Sequence, residues 1–404
     1  MDYNPRLGLL QAYPFERLRA LNAGVVANAD LKPIQMSIGE PGHAPPAKVV
    51  EGLARSLEGL SLYPQTKGLE ALREGIASWL GWRFHLHEGI DPQRHILPVN
   101  GSREALFSFV QAMLGSRQDA LVLMPNPFYQ IYEGAALLAG ATPYFLATHQ
   151  ERNFLPDYDA IPESVWQRTS ILFLCSPANP SGSVSTEATL IRLIELADRH
   201  DFIICADECY SEIYPQEDQP PPGLLQAAAA IGRHGFERLM VFHSLSKRSN
   251  LPGLRSGFVA GDAELISKFL LYRTYHGSAM SVPTQIASLI AWGDEEHVRA
   301  NRQAYRAKFE GVLRLLQPQI QVQAPDASFY LWLPTPIDDT QFARELWRQQ
   351  HLQVLPGSFL GRDIDGHNPG SGYVRIALVP ELEVCLQAAQ RLQTFIQSLQ
   401  ETPA

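Results

Sequence analysis

The feature that most constrains this chain is an alternation of short apolar runs and amphipathic helical stretches between about residues 96 and 261. Short runs rich in β-branched residues indicate buried strands, and the stretches between them have the apolar spacing of helices. Repeated strand–helix units of this kind form a mostly parallel sheet with helices on its faces. The predicted strands are 120–124, 171–175, 203–207, 239–242 and 257–260. The sequence therefore predicts an α/β fold.

The pattern changes beyond about residue 291. A long charged helix passes through Arg302 and Arg306, and predicted strands at 328–332 and 373–377 precede a final helix. This order is typical of a smaller α+β domain. The predicted parts are an N-terminal arm with part of the small domain (1–47), a large domain (48–290) and a small C-terminal domain (291–404).

Charge and composition exclude several classes of function. The formal net charge of the 404 residues is −9, which implies no broad basic surface for nucleic acid or anionic lipid. We find no apolar stretch long enough to span a membrane and no signal peptide, so we expect a cytoplasmic protein. The four cysteines are scattered and the twelve histidines form no HExxH pattern, so we expect no metal site.

Polar residues follow three of the predicted strands. Asn179 lies in a turn after 171–175, Asp207 ends 203–207, and Lys247 follows 239–242. Because ligands bind at the carboxyl ends of the strands in open α/β sheets, we expect these side chains to share one edge. An isolated lysine there is more often a solvated surface group. Serines, glycines and Arg255 beside Lys247 favour a phosphate site next to the amine.

Two further segments have both a functional and a plain structural interpretation. Asp207 is a carboxylate at the end of a buried strand. The structural interpretation is that it caps the next helix. The functional interpretation is that it pairs with a cation, such as a pyridinium nitrogen. Gly101, Ser102 and Arg103 open an amphipathic helix, whose free amides bind phosphate. Neither GxxxxGK[ST] nor GxGxxG occurs, so the nucleoside-triphosphate and dinucleotide fingerprints are absent.

Taken together, these motifs resemble the class I and II aminotransferases, which are fold-type I enzymes that use pyridoxal 5'-phosphate (PLP). The resemblance covers nearly the whole chain. The matching segments are 37–41, 63–64 before Gly68, 101–103, 127–129, 179–182, Asp207 with Tyr210, 244–247 with Arg255, and 373–376. The resemblance implies that residues 48–290 bind PLP on a mostly parallel, seven-stranded sheet.

The resemblance also implies roles for individual residues. Lys247 would carry PLP as a Schiff base and act as the base, while Asp207 would pair with the ring nitrogen. Asn179 and Tyr210 would hydrogen-bond the phenolic oxygen. Arg375 would bind the substrate carboxylate, helped by Gly39 and Asn179. The other implied cofactor contacts are Gly101, Ser102, Arg103, Ser244, Ser246 and Arg255 around the phosphate, Tyr129 stacked on the ring, and Tyr63 from a neighbouring subunit.

The implied reaction is ping-pong transamination between an amino acid and a 2-oxo acid, typically 2-oxoglutarate, in a homodimer with shared active sites. Residues 4–18, 246–261 and 355–361 include stretches most similar to the N-succinyl-diaminopimelate aminotransferases of lysine biosynthesis. We therefore predict N-succinyl-L,L-diaminopimelate as the amino donor. Its distal carboxylates need cations. The available candidates, none favoured by a motif, are Arg17, Arg19, Arg248 and Arg273.

Other functions remain open at this point. The nearer alternatives are an aminotransferase for aspartate, alanine or LL-diaminopimelate, and then a PLP-dependent β-lyase, decarboxylase or aminocyclopropane-carboxylate-forming enzyme with the same cofactor residues. A cofactor-binding regulator would need a DNA-binding module, for which we expect no room before Pro14. An oxidoreductase would leave Lys247, Asp207 and Arg375 unexplained.

Overall fold

The computed structural model describes residues 3–86, 88–318 and 320–401. The strands are β1 (Ile34–Gln35), β2 (Ile96–Val99), β3 (Leu121–Asn126), β4 (Thr142–Ala147), β5 (Thr169–Cys175), β6 (Ile203–Asp207), β7 (Leu239–Ser244), β8 (Gly257–Gly261), β9 (Tyr330–Pro334), β10 (Leu352–Gln353), β11 (Leu355–Pro356) and β12 (Tyr373–Ala377).

Helices connect most of these strands. They are α1 (Pro14–Leu21), α2 (Ala47–Arg55), α3 (Glu70–Phe84), α4 (Ser102–Met113), α5 (Ile131–Ala139), α6 (Glu163–Trp166), α7 (Glu187–His200), α8 (Leu224–Ala230), α9 (Leu245–Arg248), α10 (Ala263–His276), α11 (Val282–Trp292), α12 (Glu296–Leu316), α13 (Asp339–Gln350) and α14 (Leu382–Glu401). Within the described ranges, no helix combines the length and apolarity needed to cross a membrane.

The central sheet has seven strands in the order β2-β8-β7-β6-β5-β3-β4. All neighbouring pairs from β7 to β4 are parallel, and β8 runs antiparallel to both β2 and β7. The five strands predicted in this region each begin and end within two residues of an observed strand. The predicted α/β fold with a mostly parallel sheet is therefore confirmed. The adjacent strands β5, β6 and β7 also end at one common edge.

The two faces of the sheet bury separate apolar cores. Side chains alternate along a strand, so Leu172 and Leu174 of β5 join the core under α7 and α8, while Ile171 and Phe173 join the core under α4 and α5. The strands are consequently apolar on both sides, as parallel strands covered by helices on both faces must be. This rigid layer holds the strand ends that carry the polar residues.

A second, antiparallel sheet has the order β11-β12-β9 and packs with α12, α13 and α14. The N-terminal strand β1 pairs in parallel with β10, so Ile34 lies in this smaller core. The predicted start of a strand at residue 328 is wrong. Ser328 has a φ of 74°, and its N–H donates to the carbonyl of Ile213, so β9 begins only at Tyr330. Boundaries at residues 47 and 290 stay predictions.

A buried ion cluster connects the loop after β6 to α3 and α12. One carboxylate oxygen of Glu212 lies 2.7 Å from Nε of Arg83, and the other lies 3.6 Å from Nη1 of Arg302. All three side chains are almost fully buried. Burial alone would raise the pKa of Glu212, but the charges of Arg83, Arg248 and Arg302 outweigh burial and hold that pKa below its usual value.

We expect Glu212→Gln to destabilise the protein by about 3 kcal/mol or more, because the buried guanidinium of Arg83 loses its carboxylate and Arg302 keeps only Glu217. Glu217→Gln is the matched control, because Glu217 binds Arg302 from a partly exposed position. Thermal unfolding at pH 7 measures the difference.

Since the pKa of Glu212 is lowered in the folded protein, its contribution to the free energy of unfolding is present above about pH 4.5 and lost on acidification. The difference in unfolding temperature between wild type and Glu212→Gln should therefore become smaller as the pH falls. Equal losses in both variants would contradict this role.

Candidate active site

A cavity of about 250 Å³ lies at the edge where β5 and β6 end and where α4 and α9 begin. It brings together most of the predicted site residues. Those lining it are Gly39, Ser102, Arg103, Tyr129, Asn179, Asp207, Tyr210, Lys247 and Arg375. Because they come from separate strand ends and from both sheets, the cavity depends on the packing of the whole chain.

Lys247 is held at the inner end of this cavity by α9. Its Nζ donates a 2.5 Å hydrogen bond to the carbonyl oxygen of Gly39. Burial, together with the nearby charges of Arg375 and Arg255, lowers the pKa of Lys247 to about 8 against the opposing effects of Cys209 and Glu40. About a tenth of the amine is therefore neutral at pH 7. Such an amine can act as a nucleophile or as a base.

Asp207 places a buried carboxylate on the lining of the cavity. Its Oδ2 accepts a 2.8 Å hydrogen bond from the hydroxyl of Tyr132, and its Oδ1 accepts from the N–H of Cys209. Burial raises the pKa of Asp207, and the bonds from Cys209 and Tyr132 oppose that rise. In the described part of the chain Asp207 forms no ion pair, so the carboxylate suits a cationic N–H donor supplied by a ligand.

Arg375 projects from β12 towards the same space. Its Nη1 donates to Oδ1 of Asn179 and its Nη2 to the carbonyl of Ser37, both at 2.8 Å. The guanidinium stacks over the ring of Tyr330, whose hydroxyl lies 3.0 Å from that of Tyr210. A guanidinium fixed on several sides is well suited to bind a planar carboxylate through two parallel hydrogen bonds.

An anion-binding corner forms at the start of α4. Gly101 caps the helix with a φ of 85°, and a Cβ atom there would lie 2.6 Å from Nη2 of Arg255. The backbone conformation therefore favours glycine here, and a side chain would also displace the Arg255 guanidinium. The free N–H groups at the helix start and the charge of Arg255 together suit a phosphate.

Five predicted residues are not among the described residues that line the cavity, namely Gly101, Ser244, Ser246, Arg255 and Tyr63. Gly101 and Arg255 form the adjacent corner. The hydroxyl of Ser244 caps α9 by accepting from the N–H of Ser246. The side chain of Tyr63 is fully exposed in the isolated chain. Its position agrees with a contact to another subunit, which remains a prediction.

Neither Arg248 nor Arg273, two of the four arginines available as distal cations, lines the cavity. Arg248 is buried in an ion pair with Glu295, and Arg273 in one with Glu104. Their charges are needed inside the protein, because each neutralises a carboxylate. Neither Arg17 nor Arg19 lines the cavity either. Arg17 stacks on a phenylalanine ring and Arg19 is exposed on α1.

Arg103 places a guanidinium group on the lining of the cavity. Its guanidinium stacks over the ring of Tyr13, and its Nη2 donates to that hydroxyl at 2.9 Å. From the sequence, only the backbone amide of Arg103 is predicted to take part, in binding phosphate. Tyr13, Tyr132 and Tyr330 are not predicted as site residues at all. Tyr132 follows Tyr129 by three residues, but that spacing is equally typical of a core stripe, so the sequence offered no distinguishing signal.

The fold and this cavity define an aminotransferase. The family model described as aminotransferase class I and II matches residues 32–392, so the chain belongs to this family, as the motifs predicted. The chain is 31% identical over 401 residues to the LL-diaminopimelate aminotransferase of Aquifex aeolicus (strain VF5), with 98% of this chain and 99% of the relative covered.

Two solved structures show similarity over nearly the same length. One is an aminotransferase from Neisseria meningitidis Z2491, with a TM-score of 0.93, 50% identity, and 97% of this chain and 99% of that chain covered. The other is a probable N-succinyldiaminopimelate aminotransferase from Thermus thermophilus, with a TM-score of 0.82, 27% identity, and 95% and 100% covered.

Proposed function

We propose that this aminotransferase uses PLP to transfer the amino group of a diaminopimelate derivative to 2-oxoglutarate. The observation that carries the proposal is the convergence of Lys247, Asp207 and Arg375 on one cavity of about 250 Å³. A nucleophilic amine, a buried carboxylate and a carboxylate-binding guanidinium are the groups that amino-group transfer requires.

The donor set fits PLP. Lys247 would hold the cofactor covalently through its amine, and Asp207 would keep the ring nitrogen protonated. The corner of Gly101, Ser102 and Arg255 would hold the phosphate, supported by Ser244 and Ser246, while Asn179 and Tyr210 would contact the phenolic oxygen and Tyr129 the ring face. When bound, PLP supplies an electron sink that stabilises negative charge on the substrate α-carbon.

The residues of the chain then supply positioning and proton transfer. Arg375, with Asn179 and the backbone of Gly39, would hold the α-carboxylate, so that the α-hydrogen points towards Lys247. The Lys247 amine, with its lowered pKa, would remove that proton as a general base. Release of one oxo acid before the second binds gives ping-pong kinetics.

The charges of the cavity favour the succinylated donor. Arg103 lines the mouth and forms no ion pair among the described residues, so its charge is available for a distal carboxylate. Asp207 is the one acidic side chain among the described lining residues, which leaves the distal ammonium group of LL-diaminopimelate without a carboxylate partner. N-succinyl-L,L-diaminopimelate carries no such ammonium group. The Aquifex relative supports LL-diaminopimelate as the second candidate.

We expect purified wild-type protein with PLP to be yellow, and borohydride to link the cofactor irreversibly to Lys247. Lys247→Ala should lose both properties and all transamination, because it lacks the amine. Lys268→Ala, which removes an exposed lysine of α10, is the control and should behave as wild type. Absorption spectra, peptide mass spectrometry and glutamate formation measure these outcomes. A wild type that stays colourless with PLP refutes the proposal, and elimination products without glutamate indicate a β-lyase.

Arg103→Gln should raise the KM for N-succinyl-L,L-diaminopimelate by at least about tenfold, a loss of ~1.4 kcal/mol, because the distal carboxylate loses its cation. The KM for alanine, which has no distal anion, should not change. Arg19→Gln, on the exposed side of α1, is the matched control, and a PLP titration separates any effect on phosphate binding. If only LL-diaminopimelate reacts with wild type, the second candidate replaces the first.

We further propose a homodimer in which Tyr63 reaches the cavity of the partner. Leu57, Leu60, Leu62 and Tyr63 form an apolar segment that is more than half exposed in the isolated chain. Exposed apolar patches of this kind mark protein interfaces. The segment would be buried against a second copy, which would place the Tyr63 hydroxyl near the cofactor phosphate.

Mixing inactive Lys247→Ala subunits with weakened Tyr63→Ala subunits should restore activity. The mixed dimer has one site with Lys247 from one subunit and Tyr63 from the other, which is a wild-type site. Renaturing the two variants together and measuring activity per subunit tests this arrangement. Lack of recovery, despite mixed dimers detected by native mass spectrometry, would show that Tyr63 acts within its own subunit.

A further inference from the structure

The segment 37–43, between β1 and α2, supplies two backbone carbonyls to the active site. The carbonyl of Ser37 accepts from Arg375, and that of Gly39 accepts from Lys247. A side chain at Gly39 would collide with the hydroxyl of Tyr330, so the backbone passes close to the cavity wall. The position of this segment therefore bears directly on both reactive groups.

A buried lysine anchors the far end of the segment. Nζ of Lys308, on α12, lies 2.6 Å from Nε2 of His43 and 3.2 Å from the carbonyl of Val379. Because an ammonium group only donates, Nε2 of His43 is the acceptor, and its Nδ1–H donates to Oδ1 of Asn301 at 2.7 Å. The N–H of Gly42 donates to the same Val379 carbonyl. Lys308 thus joins α12, segment 37–43 and the end of β12.

The electrostatics of this cluster suit a charged amine beside a neutral imidazole. Burial lowers the pKa of Lys308 to about 8, against the opposing effects of Cys385 and Glu381. Burial also lowers the pKa of His43, and the Lys308 charge lowers it further, although Asn301 and Glu381 raise it. An imidazole without a charge is the form that can accept from Nζ.

Stability alone gives a weak reason for Lys308. Its side chain is 1% exposed, and among the described residues it forms no ion pair. Its partners are the imidazole, a carbonyl and the ring of Tyr305, 4.9 Å away. A buried amine without a carboxylate is unfavourable, and an apolar side chain of similar volume would pack there without that penalty. The hydrogen bond to His43 points to a use in placing segment 37–43.

We propose that Lys308 is a positioning residue of the active site: acting through His43, it fixes segment 37–43 and so the carbonyls that meet Lys247 and Arg375. The catalytic part of this inference rests on the proposed transamination. Arg375 and Gly39 would hold the substrate carboxylate in both the ground state and the transition state. Loosening the segment should accordingly weaken substrate binding more than it slows the chemical step.

Lys308→Met keeps the length of the side chain and removes its donor. We expect hydrogen exchange of the amides in 37–43 to accelerate by about tenfold or more, and the KM for the amino donor to rise by about tenfold with kcat changed less than about threefold. Arg73→Met is the matched control. It removes a buried cation of α3 that donates two hydrogen bonds, to the carbonyl of Pro92 and to Gln93. It should leave both readouts unchanged.

His43 variants test the path of the effect and serve if Lys308→Met does not fold. His43→Leu removes the acceptor for the Lys308 amine and should reproduce the changes seen in Lys308→Met. His43→Gln keeps an acceptor, so its exchange rates and KM should stay close to those of wild type. The double variant Lys308→Met/His43→Leu should be no worse than either single one, because residues that act as a unit are non-additive.

The results distinguish failure of the positioning role of Lys308 from failure of the proposed transamination. Unchanged exchange in 37–43, KM values equal to those of Arg73→Met, or additive losses in the double variant would overturn the positioning role. A wild type that forms no glutamate defeats the proposed function instead, and the exchange measurements still test the link from Lys308 to the segment.

Discussion

The active site depends on the parallel register of β5, β6 and β7. These strands pair so that Cys175 lies opposite Asp207, and Asp207 lies opposite Phe242, which brings the turns after all three strands to one edge of the sheet. Asn179, Asp207 and Lys247 therefore approach one another although dozens of residues separate them in the chain. A shift by one residue would turn each side chain to the opposite face, so the apolar packing on both faces of the sheet also fixes the chemistry at its end.

Sequence reasoning identified the parts of the structure that have local signals. Strand–helix alternation predicted the sheet, and polar residues at strand ends predicted the shared edge, since both follow from short-range patterns. The residues it missed have no such pattern. Tyr13 meets Arg103 across 90 positions, and Tyr132 meets Asp207 across 75. Their roles arise from packing between distant segments, which periodicity does not encode.

The positions of acidic partners in the fold explain why the sequence could not choose among the arginines. Arg248 and Arg273 were plausible anion ligands as isolated residues, but each one satisfies a buried carboxylate. For Arg103 the sequence predicts a role of the backbone amide alone. The difference between these arginines is the presence of an acidic partner nearby in space, and that partner lies 47 residues from Arg248 and 169 from Arg273. Which cations remain available to a ligand is thus a property of the folded chain.

The bond from Arg375 to the carbonyl of Ser37 joins residues 338 positions apart. Together with the pairing of β1 and β10, it makes the placement of residues 34–37 depend on the last part of the chain. During synthesis, the β5–β6–β7 edge emerges from the ribosome well before β12 does. A nascent chain can therefore bring the lysine and carboxylate together before it contains Arg375, the residue that we propose for the substrate carboxylate.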